Sequence, residues 1–277
     1  MKFDLVVANP AGNITVFVLP PAPAAKRIRL SIALLADPAL RAEQVAFVIP
    51  PHSAGGRRRY WRLEMMGGEF CGNAARSFGL LVAQETGLLG QHRVMIESSG
   101  ADSPLPVQVD TEAGRAEAEI PGPRSINTLE FEGRTLPVCE FDGITHVIAE
   151  DLEPARETFF AIKTLYENAP ARNSALRLDA FGVMFYNRKS GFMSPLVYVY
   201  ATESLVFESS CGSGSAALAS YKSRELADGE KRYEIRQPGG VIETRVVKRG
   251  GAIISAAIGG PVEMRRLASY TFTSALW

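Results

Sequence analysis

The residues best suited to chemistry in this chain are two cysteines in matching surroundings. Cys71 lies in the stretch GGEFCGNAARSFG (67–79) and Cys211 in ESSCGSGSAALAS (208–220). Each is followed by glycine and then by small and apolar residues, the pattern of a buried helix at its first turn. A helix N-terminus presents N–H groups without intrahelical acceptors and a partial positive charge. A thiol placed there is expected to ionise more readily than a free one, whose pKa is about 8.5. The N–H groups of Gly72, Asn73, Gly212 and Ser213 are suited to grip a carboxylate. Glycine after each cysteine lets a ligand come close to the backbone, because no Cβ stands in the way.

Two proton-carrying thiols and a carboxylate cradle match the inversion of an amino-acid α-carbon without a cofactor. One face of that carbon needs a base, the opposite face an acid, and the carbanion between them electrostatic support. A thiolate and a thiol serve both directions and exchange roles after each turnover. Cys139, inside the strand pattern LPVCEF, reads instead as a small core residue. Zinc is not expected, since no Cys-x-x-Cys or His-x-x-x-His spacing occurs. For Cys/His nucleophilic catalysis the candidates are His52, His92 and His146; the first two are expected in surface loops, and His146 is the one to examine.

The elements that must position these thiols recur twice. Strand patterns at FDLVVA, ITVFVL, QVAFVIP and RYWRLEMM, with a helix over 26–37, lead to a helix from Cys71 to about Leu89 that is apolar nearly all round. Strands HRVMIES, LPVQVD and RAEAEI follow, and PGPRS (121–125) breaks the pattern. A second set has strands near LPVCEFDG, THVIAE, AFGVMFYN and LVYVYAT and a helix around 154–168. The Cys211 helix then runs to about Leu226, followed by a Gly-rich strand meander. Setting CGNAARSFGLL over CGSGSAALASY aligns the two cysteines and their helices, a repeat of architecture more than of identity. Two α/β lobes related by a pseudo-twofold would put both thiols on the cleft between them.

Composition limits the partners. Thirty basic and thirty acidic residues give no global field for nucleic acid or an anionic membrane. The one dense basic run, Arg57, Arg58 and Arg59, reads as a solvated hairpin tip after Pro51 and Gly56. No apolar stretch approaches the roughly 20 residues of a membrane helix, and the N-terminus lacks a secretory pattern, so a cytoplasmic protein is expected. Three cysteines in a chain of 277 residues argue against a disulfide framework.

FCGNAARS and SSCGSGSAA, with NPAGN (9–13), EQVAF (43–47) and QPGG (237–240), resemble the cofactor-independent amino-acid racemases of the diaminopimelate epimerase fold. The resemblance implies an α/β (α+β) fold of two pseudo-symmetric lobes, each a curved mixed sheet around a central buried helix. Residues 1–121 would form the N-terminal lobe, rejoined by 264–277, and 122–263 the C-terminal lobe. It implies Cys71 and Cys211 as the acid/base pair, Asn13 and Asn73 as contacts to the α-amino and carboxylate groups, and Gln44 as a pocket wall. Gly72, Gly212 and Ser213 would supply backbone donors, and Glu208 would receive the substrate ammonium unless it faces solvent. No cofactor or metal is implied, the partner is a small amino acid, and a homodimer is suggested. Diaminopimelate epimerases carry an arginine shortly before the second cysteine that holds the distal carboxylate; YATESLVFESSC has none. The pattern is closer to the histidine racemases that supply D-histidine to opine-type metallophores.

Overall fold

Short runs of Val, Ile, Leu and Phe, cut by Gly, Asn and Pro turns, produce strands with a few connecting helices. In the computed structural model, residues 2–20, 22–51, 59–169, 174–200 and 203–271 are described. Along the chain the strands are β1 (Lys2–Asn9), β2 (Thr15–Val18), β3 (Gln44–Ile49), β4 (Trp61–Met65), β5 (Gln91–Ser98), β6 (Leu105–Asp110), β7 (Arg115–Ile120), β8 (Ser125–Phe131) and β9 (Arg134–Glu140). They continue as β10 (Gly143–Glu150), β11 (Leu178–Asn187), β12 (Phe192–Val199), β13 (Ser204–Phe207), β14 (Gly229–Gln237), β15 (Gly240–Arg249), β16 (Ala252–Pro261) and β17 (Glu263–Thr271). The helices are α1 (Arg27–Leu35), α2 (Gly72–Glu85), α3 (Arg156–Glu167) and α4 (Gly212–Ser223). The result is a mixed α+β fold, rich in strands and poor in helix. None of its helices is long and apolar enough to cross a membrane, among the described residues.

The chain divides into two compact units, Met1–Glu119 with Gly259–Trp277, and Ile120–Ile258. In the first, β17, β1, β2, β3, β4, β5, β6 and β7 are neighbours in that order; β2–β3 and β4–β5 are parallel and the other pairs antiparallel. A parallel pair cannot be joined by a tight hairpin, so each needs a crossover. Helix α1 lies in the first crossover and α2 in the second.

Helix α2 is buried without interruption from Asn73 to Ala83. Phe78, Leu80, Leu81 and Val82 pack into a core shared with Phe17, Leu63, Ile96 and Val107. At Gly79 a Cβ would stand 2.5 Å from Val107 Cγ1, so only glycine admits this approach of helix to β6. The helix stops at Glu85, four residues before the expected end. Gly87 turns left-handed (φ 71°), the Leu88 N–H bonds Ala83 O and the Gly87 N–H bonds Gln84 O. That is a Schellman termination, set by Gly87.

In the second unit β10 and β11 are parallel and joined through α3, whose Phe159, Ile162 and Tyr166 pack on Phe181 and Val183. Strand β12 is antiparallel to β11 and β13 and meets β14 in one parallel bridge, Phe192 with Arg236. Helix α4 lies between β13 and β14 in sequence and is buried over most of its length. It also ends earlier than expected, at Ser223. Just beyond that end the Lys248 ammonium donates to Arg224 O at 2.5 Å and Leu226 O at 2.8 Å, satisfying carbonyls that have no intrahelical partner there.

Two strands went unread in the sequence. Strand β8 begins at Ser125, the last residue of PGPRS, and pairs with β9 through the tight turn Glu132-Gly133, both with positive φ. Glutamate is an uncommon first residue for that turn, which hid the hairpin. Strand β13 has only four residues, too few for a periodic signal.

Candidate active site

Cys71 is the N-cap of α2. Its backbone is extended (φ −129°, ψ 114°), and its sulfur accepts the Ala74 N–H at 3.4 Å, the bond usually made by a serine or aspartate oxygen. The sulfur also lies 4.0 Å from Asn13 Oδ1. Asn13 is buried at the end of the turn NPAGN, where Ala11 and Gly12 have positive φ and the Gly12 N–H bonds Asn9 Oδ1 at 2.7 Å. Its amide donates to Glu43 Oε2 at 3.0 Å. Three of the quoted motifs, NPAGN, EQVAF and FCGNAARS, therefore meet around Cys71. Gln44 opens β3, and its Oε1 is buried with no hydrogen-bond partner among the described residues. Gly72 and Asn73 occupy the first two helical positions.

Cys211 repeats this geometry in the second unit. It caps α4 with extended backbone (φ −117°, ψ 113°), and its sulfur accepts the Gly214 N–H at 3.4 Å. A Cβ at position 214 would lie 2.1 Å from Met184 Sδ, so any larger residue there must displace the Met184 side chain. Ser213 Oγ stands 3.6 Å from the sulfur and 2.9 Å from His146 Nε2. Gln237, from QPGG, accepts the Cys211 N–H at 2.8 Å and donates to Ser215 Oγ at 2.9 Å; Ser215 in turn donates to Cys211 O at 2.7 Å. Gly212 is buried at the first helical position.

The expected easing of ionisation does not hold at Cys211. Burial pushes its thiol well above the ordinary range, and the Glu208 carboxylate beside it adds to this by its charge and its hydrogen bond. The Ser213 hydroxyl and Gly214 N–H act in the opposite direction and are outweighed. Glu208 thus engages the cysteine and does not merely face solvent. Cys139 is wholly buried, its thiol set against Ala217 O at 3.5 Å, and desolvation raises its pKa to about 12.

His92 lies in β5, the strand read at HRVMIES, and not in a surface loop, with Nε2 2.8 Å from Leu89 O. His146, in β10, is fully buried, and desolvation lowers its pKa to about 3. It is a neutral imidazole beside Ser213, and so low a pKa makes it a weak base. His52 and the tip residues Arg57 and Arg58 lie outside the described residues. Among the described residues no group of His, Cys, Asp and Glu side chains could hold a metal.

Two participants were not singled out in the sequence. Gln237 sits in a motif quoted above but drew no role of its own. Arg76 is the largest fully buried side chain described. Its Nε donates to Asn73 Oδ1 at 3.2 Å, and its Nη1 to Gly260 O at 3.1 Å and Pro261 O at 3.3 Å. The available signal was a lone arginine in an otherwise small and apolar helix face, since buried charges persist only where paired or bonded.

Comparison with known proteins places the whole chain. Residues 2–266 match the family described as "Histidine racemase CntK N-terminal domain". A histidine racemase of Fusobacterium nucleatum subsp. nucleatum is 34% identical over 247 residues, covering 87% of this chain and 88% of that protein. One from Staphylococcus aureus is 27% identical over 239 residues, covering 84% and 85%. Among solved structures, a hydroxyproline epimerase from Agrobacterium vitis superposes with a TM-score of 0.62 at 13% identity, covering 96% of this chain and 92% of that one. A methylitaconate-delta-isomerase superposes at 0.56 with 13% identity, covering 98% and 95%; at such identities these two speak to fold alone. The chain belongs to the histidine racemase family.

Proposed function

We propose that this protein interconverts L- and D-histidine, with Cys71 and Cys211 carrying the proton at the two faces of the α-carbon. In one direction a thiolate takes the α-proton and becomes a thiol, while the other thiol protonates the opposite face and becomes the thiolate. Nothing is oxidised or reduced, and the pair is left poised for the reverse reaction. The observation that carries this reading is the repeated cap: each cysteine sulfur accepts the N–H three residues on, at 3.4 Å, from a buried helix. That bond favours the thiolate and so lowers the cost of forming it.

The two units are read as equivalent halves, each a curved mixed sheet about its own buried helix. Asn13 and Asn73 contact the substrate's amino and carboxylate groups, with backbone donors from Gly72, Gly212 and Ser213. Gln44 forms a wall of the side-chain pocket, where its buried Oε1 is an acceptor suited to an imidazole N–H. Glu208 takes the substrate ammonium. A bound cation there offsets the Glu208 charge, which adds to burial in holding the Cys211 thiol protonated, so substrate itself helps prime the second cysteine. No cofactor is required by these steps. The enzyme is proposed to work as a cytoplasmic homodimer supplying D-histidine to metallophore assembly.

The test is chiral chromatography of histidine and of diaminopimelate after incubation with purified protein and no additive. Racemised histidine and untouched diaminopimelate support the reading. Turnover of diaminopimelate in preference to histidine would remove the substrate and leave the chemistry.

A further inference from the structure

The proposed mechanism leaves a fully buried guanidinium, Arg76, without a task. It lies on α2, five residues after Cys71, and 0% of it is exposed. Its bonds go to Asn73 Oδ1 and to the carbonyls of Gly260 and Pro261, at the junction of β16 and β17. A buried cation is costly, and a leucine or methionine would fill the same helix face more cheaply if space were the only demand. What the guanidinium supplies is a planar fork that reaches partners in two directions at once.

We propose that Arg76 is the positioning residue for the Asn73 amide. An asparagine amide has two orientations of similar shape, one presenting oxygen and the other nitrogen. Arg76 has no acceptor, so the atom facing its Nε must be Oδ1. The Nδ2 donors are thereby directed away from Arg76, in the orientation that an anionic ligand at the start of α2 requires. The Gly260 and Pro261 carbonyls anchor the fork from the other side. The strand that returns to the first unit thus sets the orientation of a group at the mouth of α2. The charge of Arg76, held in a desolvated place beside Asn73, favours an anion at the same end of the helix. This rests on the reading above that Asn73 contacts the substrate carboxylate.

The experiment is a double-mutant cycle on the full-length protein, with Asn73→Ala, Arg76→Met and their combination, read as KM and kcat for histidine. Circular dichroism and thermal melts establish that each variant is folded; if Arg76→Met is not, Arg76→Lys, which keeps charge but loses the fork, takes its place in the cycle. Loss of a bond made by a charged donor corresponds to a fall of about ten- to a hundredfold in kcat/KM. The expected result is a rise in KM larger than the fall in kcat for each single variant, and a double variant no worse than Asn73→Ala. Multiplying effects in the double variant, or a loss confined to thermal stability with KM unchanged, would overturn the positioning role and leave the reading of Asn73 intact. An Asn73→Ala variant with unaltered KM would overturn both.

Discussion

Gln237 Oε1 accepts the backbone N–H of Cys211 at 2.8 Å, while Gln237 Nε2 donates to Ser215, whose hydroxyl closes on Cys211 O. One glutamine therefore satisfies the N–H of an N-cap residue that would otherwise be buried without an acceptor, and holds the first turn of α4 in register. The Gly239 N–H, bonded to Ser209 O at 2.7 Å, ties the turn between β14 and β15 to the segment just before the cysteine.

Replacing Gln237→Leu removes the acceptor and leaves that N–H desolvated. A cost of about 1–3 kcal/mol in unfolding free energy is expected, with a fall in racemisation larger than stability alone explains. Urea titration alongside initial rates measures both.

His146 ties stability to acid. Its pKa falls from the ordinary 6.5 to about 3 in the folded chain. Between those values the unfolded chain binds one proton more than the folded one. Stability is therefore fully present above about pH 6.5 and is lost as the pH falls toward 3, by on the order of 5 kcal/mol at most. In His146→Gln this portion of the acid dependence disappears, so the unfolding free energies at pH 7 and pH 5 draw closer together than in the unaltered protein. Equal slopes in the two proteins would contradict the assignment.

The three thiols differ enough to be told apart by alkylation. Cys71 is partly exposed, Cys211 is buried with its pKa raised, and Cys139 is buried with a pKa of about 12. Iodoacetamide at neutral pH is expected to label Cys71 first, Cys211 more slowly and Cys139 only after unfolding, as read by peptide mass spectrometry. Histidine should protect Cys71 and Cys211.

Glu208→Gln removes the carboxylate whose charge and hydrogen bond help hold Cys211 protonated. The pH midpoint of Cys211 alkylation should move downward, while KM for histidine rises because the ammonium loses its counter-ion. A midpoint that stays in place would leave burial as the whole cause of the raised pKa.

The two cysteine caps were legible because the signal was local: Cys-Gly followed by small residues says helix start, and the structure places one at each position. The sequence did not reveal which influence governs Cys211, since burial and the orientation of Glu208 depend on strands far apart in the chain. Gln237 and Arg76 were hidden for the same reason. Arg76 bonds carbonyls 184 and 185 positions away, and Gln237 bonds Cys211 itself from 26 positions beyond it. The misplaced helix ends have a simpler origin. Gly87 is the stop signal for α2, and the Lys248 contacts beyond the end of α4 have no trace in local pattern.

The most direct test of the two-thiol account is α-proton exchange of L-histidine in heavy water, followed by NMR and chiral separation, for the unaltered protein, Cys71→Ser and Cys211→Ser. The account predicts deuterium at Cα of the D-histidine formed by the unaltered protein, and racemisation lowered by at least about a thousandfold in both variants, because serine is too weak an acid to pass the proton at neutral pH. Racemisation that survives either substitution at near-normal rate would contradict it.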